Sequence, residues 1–404
     1  MNKAASRASR RLNLSSNTIL LLVALAVAAI AFVWTQMVQP SPGKQAVETG
    51  QALARAGQLP EAERAWKEAL RLDPKNAAAL ELLGELYRKT HRYQDAIAPL
   101  QQLAQLKPET PNLYANLAEC LEQTGTQKAA LDQAEAQLEQ DPDNLSALAI
   151  AAKMLANLDK PKKALEYERR LVQLKPENID FLVMLARTLV ENNFYDEAQP
   201  LTEKVIQADP DNPEGYRLRG EIEFRKNPTS EGLAKAITYF EETLKRDPQA
   251  FTPQLYLGNI YTQLGQPDKA ITYLLKAKQR MPFRSDVAFA LAAAYDRAGQ
   301  SAKAEEARHD FVALRQEYDT EKALEKRCIL APNDFDYHLQ LGKIKLHREE
   351  FDEADYYLHE ALRIHPNDPQ AQAALKQLAA QAASAHTTDD QETGPRESLP
   401  PEAP

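Results

Sequence analysis

Glycine, cysteine and histidine are all scarce in this chain: 404 residues carry 13 glycines, two cysteines and seven histidines. So little glycine leaves no phosphate-cradling loop, because Gly43-Lys44 is followed by Gln45, and no G-x-S-x-G nucleophile turn. Cys120 and Cys328 build no disulfide framework. In stacked helices about 10 Å thick they fall tens of ångströms apart, whereas a bridge needs α-carbons within about 7 Å. Both are expected as buried packing residues. His359-Glu360 opens a zinc-protease pattern, but Arg363 stands where the second histidine is required, and His365 lies about 240° further round the helix. His338 and His347 fall on opposite faces, so no metal site is expected, since ligands must converge. Scattered Asp and Glu pairs read as solvated helix faces. The sequence therefore points away from an enzyme, and no cofactor is expected. Positive charge is not in excess either: the net charge is −9, which argues against nucleic acid as partner. Aromatics make up 7% and charged residues 26%, which suits an all-helical array better than a sheet protein.

What is present is a 34-residue register that returns nine times. Alanine marks it at Ala62, Ala96, Ala130, Ala164, Ala198, Ala236, Ala270, Ala304 and Ala354. Twelve residues later a proline closes every unit except the eighth, which has Gln316, and twelve residues earlier the side chain is always Gly or Ala, once an insertion in unit six is allowed for. The spacing predicts two antiparallel helices per unit, with small residues where the axes approach, as Gly84 faces Ala96. Proline then stops the second helix, because it lacks an amide proton and disfavours helical geometry before it. Turns such as Asp73-Pro74-Lys75-Asn76 lead into the next unit. Units are expected at 43–76, 77–110, 111–144, 145–178, 179–212, 213–250, 251–284, 285–318 and 335–368, with a capping helix over 370–383. Residues 384–404 are rich in Pro, Glu, Asp, Thr and Ser and have too few apolar residues to fold.

These residues resemble the tetratricopeptide repeat (TPR) family, whose unit carries small residues at positions eight and twenty, a large one at twenty-four and proline at thirty-two. Unit two shows Leu80, Leu83-Gly84, Tyr87, Ala96 and Pro108, and unit seven shows Leu257-Gly258, Tyr261, Ala270, Leu274 and Pro282. The resemblance implies an all-α fold, a right-handed solenoid of about nine helix pairs from Gly43 to Ala383, with function left to its partners. Two departures stand out. Asn227-Pro228-Thr229-Ser230-Glu231-Gly232 holds four extra residues and reads as a lengthened loop. After Gly299 there is no Gly or Pro until Pro332, so the second helix of unit eight either continues well beyond one repeat or breaks at Asp319-Thr320, which would serve as a cap.

The family's groove is lined mainly by first-helix positions two, five, nine, twelve and thirteen. Here these are Glu81, Glu85, Arg88, Lys89, Glu119 and Glu122, then Lys153, Arg187, Arg217, Glu221, Phe224 and Arg225, with apolar Val183 and Val190 among them. Leu255, Asn259, Phe289, Asp296, Leu339, Lys343 and Leu346 follow. The wall reads as acidic, then basic, then more apolar, and suits protein partners. Its apolar members read equally as a peptide site or as packing between helices. Reversing Arg187, Arg217 and Arg225 together is expected to spare folding and weaken partner capture. The carboxylate clamp of chaperone-tail receptors is not reproduced, since Val47 and Gln51 hold its positions.

Ahead of the repeats, Ile19 to Trp34 is uncharged and apolar, and residues 19–38 reach roughly the 20 residues a bilayer requires. Lys3, Arg7, Arg10 and Arg11 precede it in a basic segment, 1–18, and residues 39–42 link it to the repeats. The positive-inside rule then predicts a single-pass bacterial inner-membrane protein with a cytoplasmic amino terminus and periplasmic repeats, a scaffold for an envelope assembly or export process. The competing readings are a signal peptide cleaved after Ala29-Ile30-Ala31 and the reverse orientation, an adaptor on the cytosolic side.

Overall fold

The computed structural model describes residues 41–389, and all regular structure among them is helical. The chain divides into two compact blocks on either side of Pro176. The first holds four antiparallel pairs: α1 (Pro42–Arg55) with α2 (Leu59–Leu72), α3 (Ala77–Lys89) with α4 (Tyr93–Leu106), α5 (Leu113–Gln123) with α6 (Gln127–Gln140), and α7 (Leu145–Asn157) with α8 (Pro161–Leu174). The second holds α9 (Ile179–Glu191) with α10 (Tyr195–Ala208), α11 (Pro213–Lys226) with α12 (Ser230–Arg246), α13 (Phe251–Gln263) with α14 (Pro267–Arg280), α15 (Ser285–Arg297) with α16 (Ser301–Leu330), and α17 (Phe335–His347) with α18 (Phe351–Ile364). A last helix, α19 (Pro369–Asp389), lies against α17 and α18.

One expectation is corrected. A transmembrane helix over 19–38, and with it a single-pass inner-membrane protein, does not stand: among the described residues no helix is long and apolar enough to cross a membrane. Only α16 and α19 approach a bilayer's length, and α16 carries charged side chains on every turn while α19 is built of alanine and glutamine. Residues 19–38 themselves lie outside the described residues, as do the basic segment and the tail from residue 390.

The register works through steric exchange. All nine marker alanines are fully buried, at 0% exposure. Opposite them the first helix carries its small residue, but the atom it makes room for lies one turn further on. A Cβ on Gly84 would stand 2.6 Å from Leu100, one on Gly258 2.4 Å from Leu274, and one on Gly50 2.3 Å from Trp66. Phe240 and Leu358 crowd Gly220 and Gly342 in the same way. Where the first helix has alanine instead, at Ala118, Ala152, Ala186 and Ala292, the opposing residue is Ala134, Glu168, Thr202 or Arg308, never a large apolar one. At the three buried positions volume added on one helix is removed from its partner, whereas Arg308 lies exposed and turns to Asp296.

Turns follow equally local rules. Asn76, Asn144 and Asn178 each accept a backbone N–H three residues on, which caps the next first helix. Between the two helices of a pair the chain passes through the left-handed region, at Gly57, His91, Gly125, Asp159, Asn193, Gly265, Gly299 and Glu349, with φ from +55° to +77°. Only unit six avoids this, and its four extra residues do not lengthen the loop as expected. Thr229 caps α12 by accepting from Gly232 N–H, and α12 takes up the insertion as 17 residues where α10 and α14 have 14.

Helix α16 runs unbroken for 30 residues. Thr320 is no cap, because its hydroxyl donates back to the Gln316 carbonyl at 2.7 Å within the helix. Near its start α16 buries Ala304 and Ala307, the latter in the core shared with α15. Near its end it buries Leu324 and Cys328 against Leu341 of α17. One helix thus serves two units.

Candidate functional site

In the first block the expected wall residues are joined into a ladder of ion pairs. Glu85 meets Lys89 on α3 at 2.6 Å, Arg88 crosses from α3 to Glu119 on α5 at 2.9 Å, and Lys153 crosses from α7 to Glu122 at 2.8 Å. Glu81 is exposed. The three ion pairs explain why this stretch reads as acidic in sequence and yet presents little free charge. Each pair is half open to water, so its worth is at most about 1 kcal/mol.

The second block gathers Arg187, Arg217, Glu221 and Arg225 on α9 and α11. Arg187 binds Glu214 at 2.8 Å, Arg217 binds Glu214 at 2.7 Å and also Glu221, and Arg225 donates to the Tyr256 hydroxyl at 2.8 Å. Burial pushes the Glu214 carboxyl up, but Arg217 and Arg187 outweigh it and hold the pKa at about 2. Glu191 has the opposite balance: loss of solvation raises its pKa against the pull of Arg187 and Arg217, although part of the side chain reaches water. Tyr256 is pushed up to about 12 by desolvation, stacks on Phe240 at 5.1 Å and receives the edge of Phe224 at the same distance. The three arginines are therefore structural as well as superficial. Reversing Arg217, 11% exposed between two carboxylates, would not spare folding.

Further along, Leu255 and Asn259 are half-buried on α13, and Phe289 is 61% exposed on α15 with its ring 5.5 Å from that of Phe311. Asp296 pairs with Arg308 at 2.7 Å. Lys343 donates to Gln370 on α19 at 2.8 Å, beside a depression of about 400 Å³ that His347 and Ala373 also line. Val183, Val190, Leu339 and Leu346 are buried as packing residues. Among the described residues no group of three His, Cys, Asp or Glu side chains converges as metal ligands do.

Glu214 and Tyr256 are the members of this site that sequence reasoning passed over. The signal was available: pairs between neighbouring first helices recur at separations of 31 residues, as in Arg88–Glu119 and Arg225–Tyr256, or 27, as in Arg187–Glu214. These are one register less one or two helical turns.

No curated protein matches this chain by sequence. Among solved structures it is similar to a tetratricopeptide repeat protein from Parabacteroides merdae, at 18% identity over 63% of this chain and 99% of that one, with a TM-score of 0.46. It is similar to YrrB, described as a TPR protein with an unusual peptide-binding site, at 20% identity over 46% and 95%, TM-score 0.38. The APC/C hetero-tetramer Cut9-Hcn1 matches at 16% identity over 79% of this chain, which spans 59% of the length of that one, TM-score 0.41. The sequence profile of the tetratricopeptide repeat matches residues 47–111, 86–144 and 229–285, and a second profile of the same repeat matches 155–222. With more than half of its residues so matched, the chain belongs to the tetratricopeptide repeat family.

Proposed function

We propose that this chain is a non-enzymatic adaptor that takes up protein segments along the first-helix wall of its second block, from α9 to α15. The observation that carries the reading is Phe289, a large aromatic ring left 61% exposed on a wall whose ionic groups are already paired. Exposed aromatics framed by arginines make up the energetic centre of protein interfaces. Arg187, Arg217 and Arg225 are held by Glu214, Glu221 and Tyr256, so they offer oriented donors without further ordering cost.

A photoreactive amino acid placed at Phe289 tests this, with one at Leu275 on the second helix α14, itself 46% exposed, as control. Defined protein adducts from position 289 that are absent from position 275 and weakened by Phe224→Ala are the expected result. Equal adducts from both positions, or none from either, would reject the wall as the binding surface.

A further inference from the structure

The first helices α13 and α15 pack against each other, whereas α17 meets unit eight at the far end of α16, where Leu324 and Cys328 pack on Leu341. The cause is in the register: from unit eight to unit nine the chain advances sixteen residues more than 34, all within α16, which shifts α17 about 24 Å along that helix. The middle of α16 is a second helix with no first helix laid across it. A depression of about 600 Å³ opens there, floored by Val312, Gln316, Thr320, Ala323 and Arg327 and edged by Gln340 of α17. The floor residues recur at three- and four-residue steps on one helix face and span about 22 Å, the length of a helix of some 15 residues. Val312 is 59% exposed.

We propose that this depression docks one amphipathic α-helix of a partner protein, with a small residue at its middle and acidic residues in its first turn. Counted back from Pro332, Thr320 stands at position twenty, the place where the other units bury their marker alanine because the two helix axes approach there, so a helix crossing at this point needs a small residue close by. A helix laid antiparallel to α16, as every first helix here lies to its second, brings its amino-terminal turn to Arg327. That guanidinium sits over the Tyr337 ring at 5.6 Å and has no carboxylate partner among the described residues, while Arg315 answers Asp319 at 3.5 Å. The floor is thus net positive in a chain of net charge −9, and a carboxylate near a helix amino terminus also complements the helix dipole. Phe311 at one end of the depression meets Phe289 of the wall from α9 to α15, so the two sites adjoin there, and Phe224→Ala, which acts on the wall alone, tells their failures apart.

The probe is a fluorescein-labelled peptide of residues 285–297, which carries Asp286 in its first turn and Ala292 at its middle, together with a hydrocarbon-stapled version that is helical in solution. Anisotropy with the full chain is expected to show saturable binding. Thr320→Trp, at an exposed position, should weaken it by about tenfold or more by filling the floor, and Ala323→Arg should do the same. Arg327→Glu should weaken it too, and a peptide with Asp286→Lys should restore binding to that variant. Phe224→Ala should leave it unchanged. No saturable binding by either peptide, or binding indifferent to Thr320→Trp and Ala323→Arg, overturns the proposal. So would a concentration-dependent dimer that the peptide dissolves, which would make a second copy the occupant. Peptide affinity that rises when residues 1–40 or 390–404 are deleted would assign the depression to this chain's own ends and equally overturn it.

Discussion

The joint between α4 and α5 in the first block and the joint between α16 and α17 in the second both pass the chain from a second helix to the next first helix, yet they differ in substance. The former is apolar: Leu100, Leu103, Leu113 and Leu117 are all exposed by 3% or less. The latter has a small apolar part, Leu324, Cys328 and Leu341, and a buried ionic one. Lys345, at 6% exposure, touches Glu321, Glu350 and Glu353 at 2.6–2.7 Å, and Arg348 binds Glu317 and Glu321 at 2.8 and 2.5 Å. Burial alone would lower the Lys345 pKa, but the surrounding carboxylates raise it above the ordinary lysine range. The difference follows from the register. Where units repeat at 34 residues, interchangeable leucines suffice because the backbone already fixes the alignment. Where α16 overruns its unit, ion pairs from Lys345 and Arg348 to Glu317 and Glu321 make up much of the contact between α16 and α17.

The largest effect in breaking this contrast is expected from Lys345→Ala. It leaves Glu321, 4% exposed, with one cation fewer and should destabilise the second block by about 3–5 kcal/mol. Hydrogen exchange should accelerate across α17, while the fluorescence transition of buried Trp66, read with Trp34 replaced by Phe, should not move. An unchanged exchange pattern would show that the network adds nothing to the joint.

Ala96→Leu is the matching test in the first block. It overpacks a fully buried contact and should cost about 1–3 kcal/mol, this time shifting the Trp66 transition and sparing α17. Smaller, and of opposite sign, is the effect of relieving the left-handed turns. Asp159→Gly in the first block and Glu349→Gly in the second, at φ +55° and +61°, should each stabilise by about 1 kcal/mol. If either melts lower, that turn owes its shape to side-chain contacts.

The smallest change is expected from pH, since solvent screens these pairs. Glu63 in the first block is held at about 2 chiefly by the Arg92 hydrogen bond, and Glu214 in the second also lies at about 2. Both carboxyls are depressed in the fold, so the stability they contribute is present above about pH 4.5, the unfolded value, and is lost as pH falls toward 2. Glu191 works the other way: its pKa is raised, so taking up a proton as pH falls relieves the fold and offsets part of the loss in the second block. An acid titration should therefore be steeper for the first block than for the second, and Glu63→Gln should flatten it. Identical curves would mean that Glu191 is solvated as in the unfolded chain.

Much of the fold was legible because the relevant contacts are local. Marker alanines, small residues twelve positions before them and closing prolines all lie within one helix pair, so spacing alone shows that they belong together, whereas that Gly84 makes room for Leu100 rather than for Ala96 is visible only in the structure. One misreading and one choice that the sequence left open show the limit. The insertion at Asn227–Gly232 has loop composition, yet Thr229 turns it into a helix start. Asp319-Thr320 has cap composition, yet the Thr320 hydroxyl satisfies a carbonyl inside the helix. Composition states what a segment is able to do, and the neighbouring hydrogen bonds decide which option is taken.

By itself the sequence determined that helices come in pairs, where each pair closes and which small residues sit at the contact, because a side chain's position on its own helix is fixed by a 3.6-residue period. Only the tertiary structure decided which charges neutralise one another and which helix face lies uncovered. An ion pair such as Arg187–Glu214 depends on the rotation and translation of one helix against its neighbour. The open face of α16 depends on where α17 comes to rest after a helix more than twice as long as the 14 residues of α14 or α18, and neither composition nor periodicity shows it, since both describe a single helix and not the space beside it.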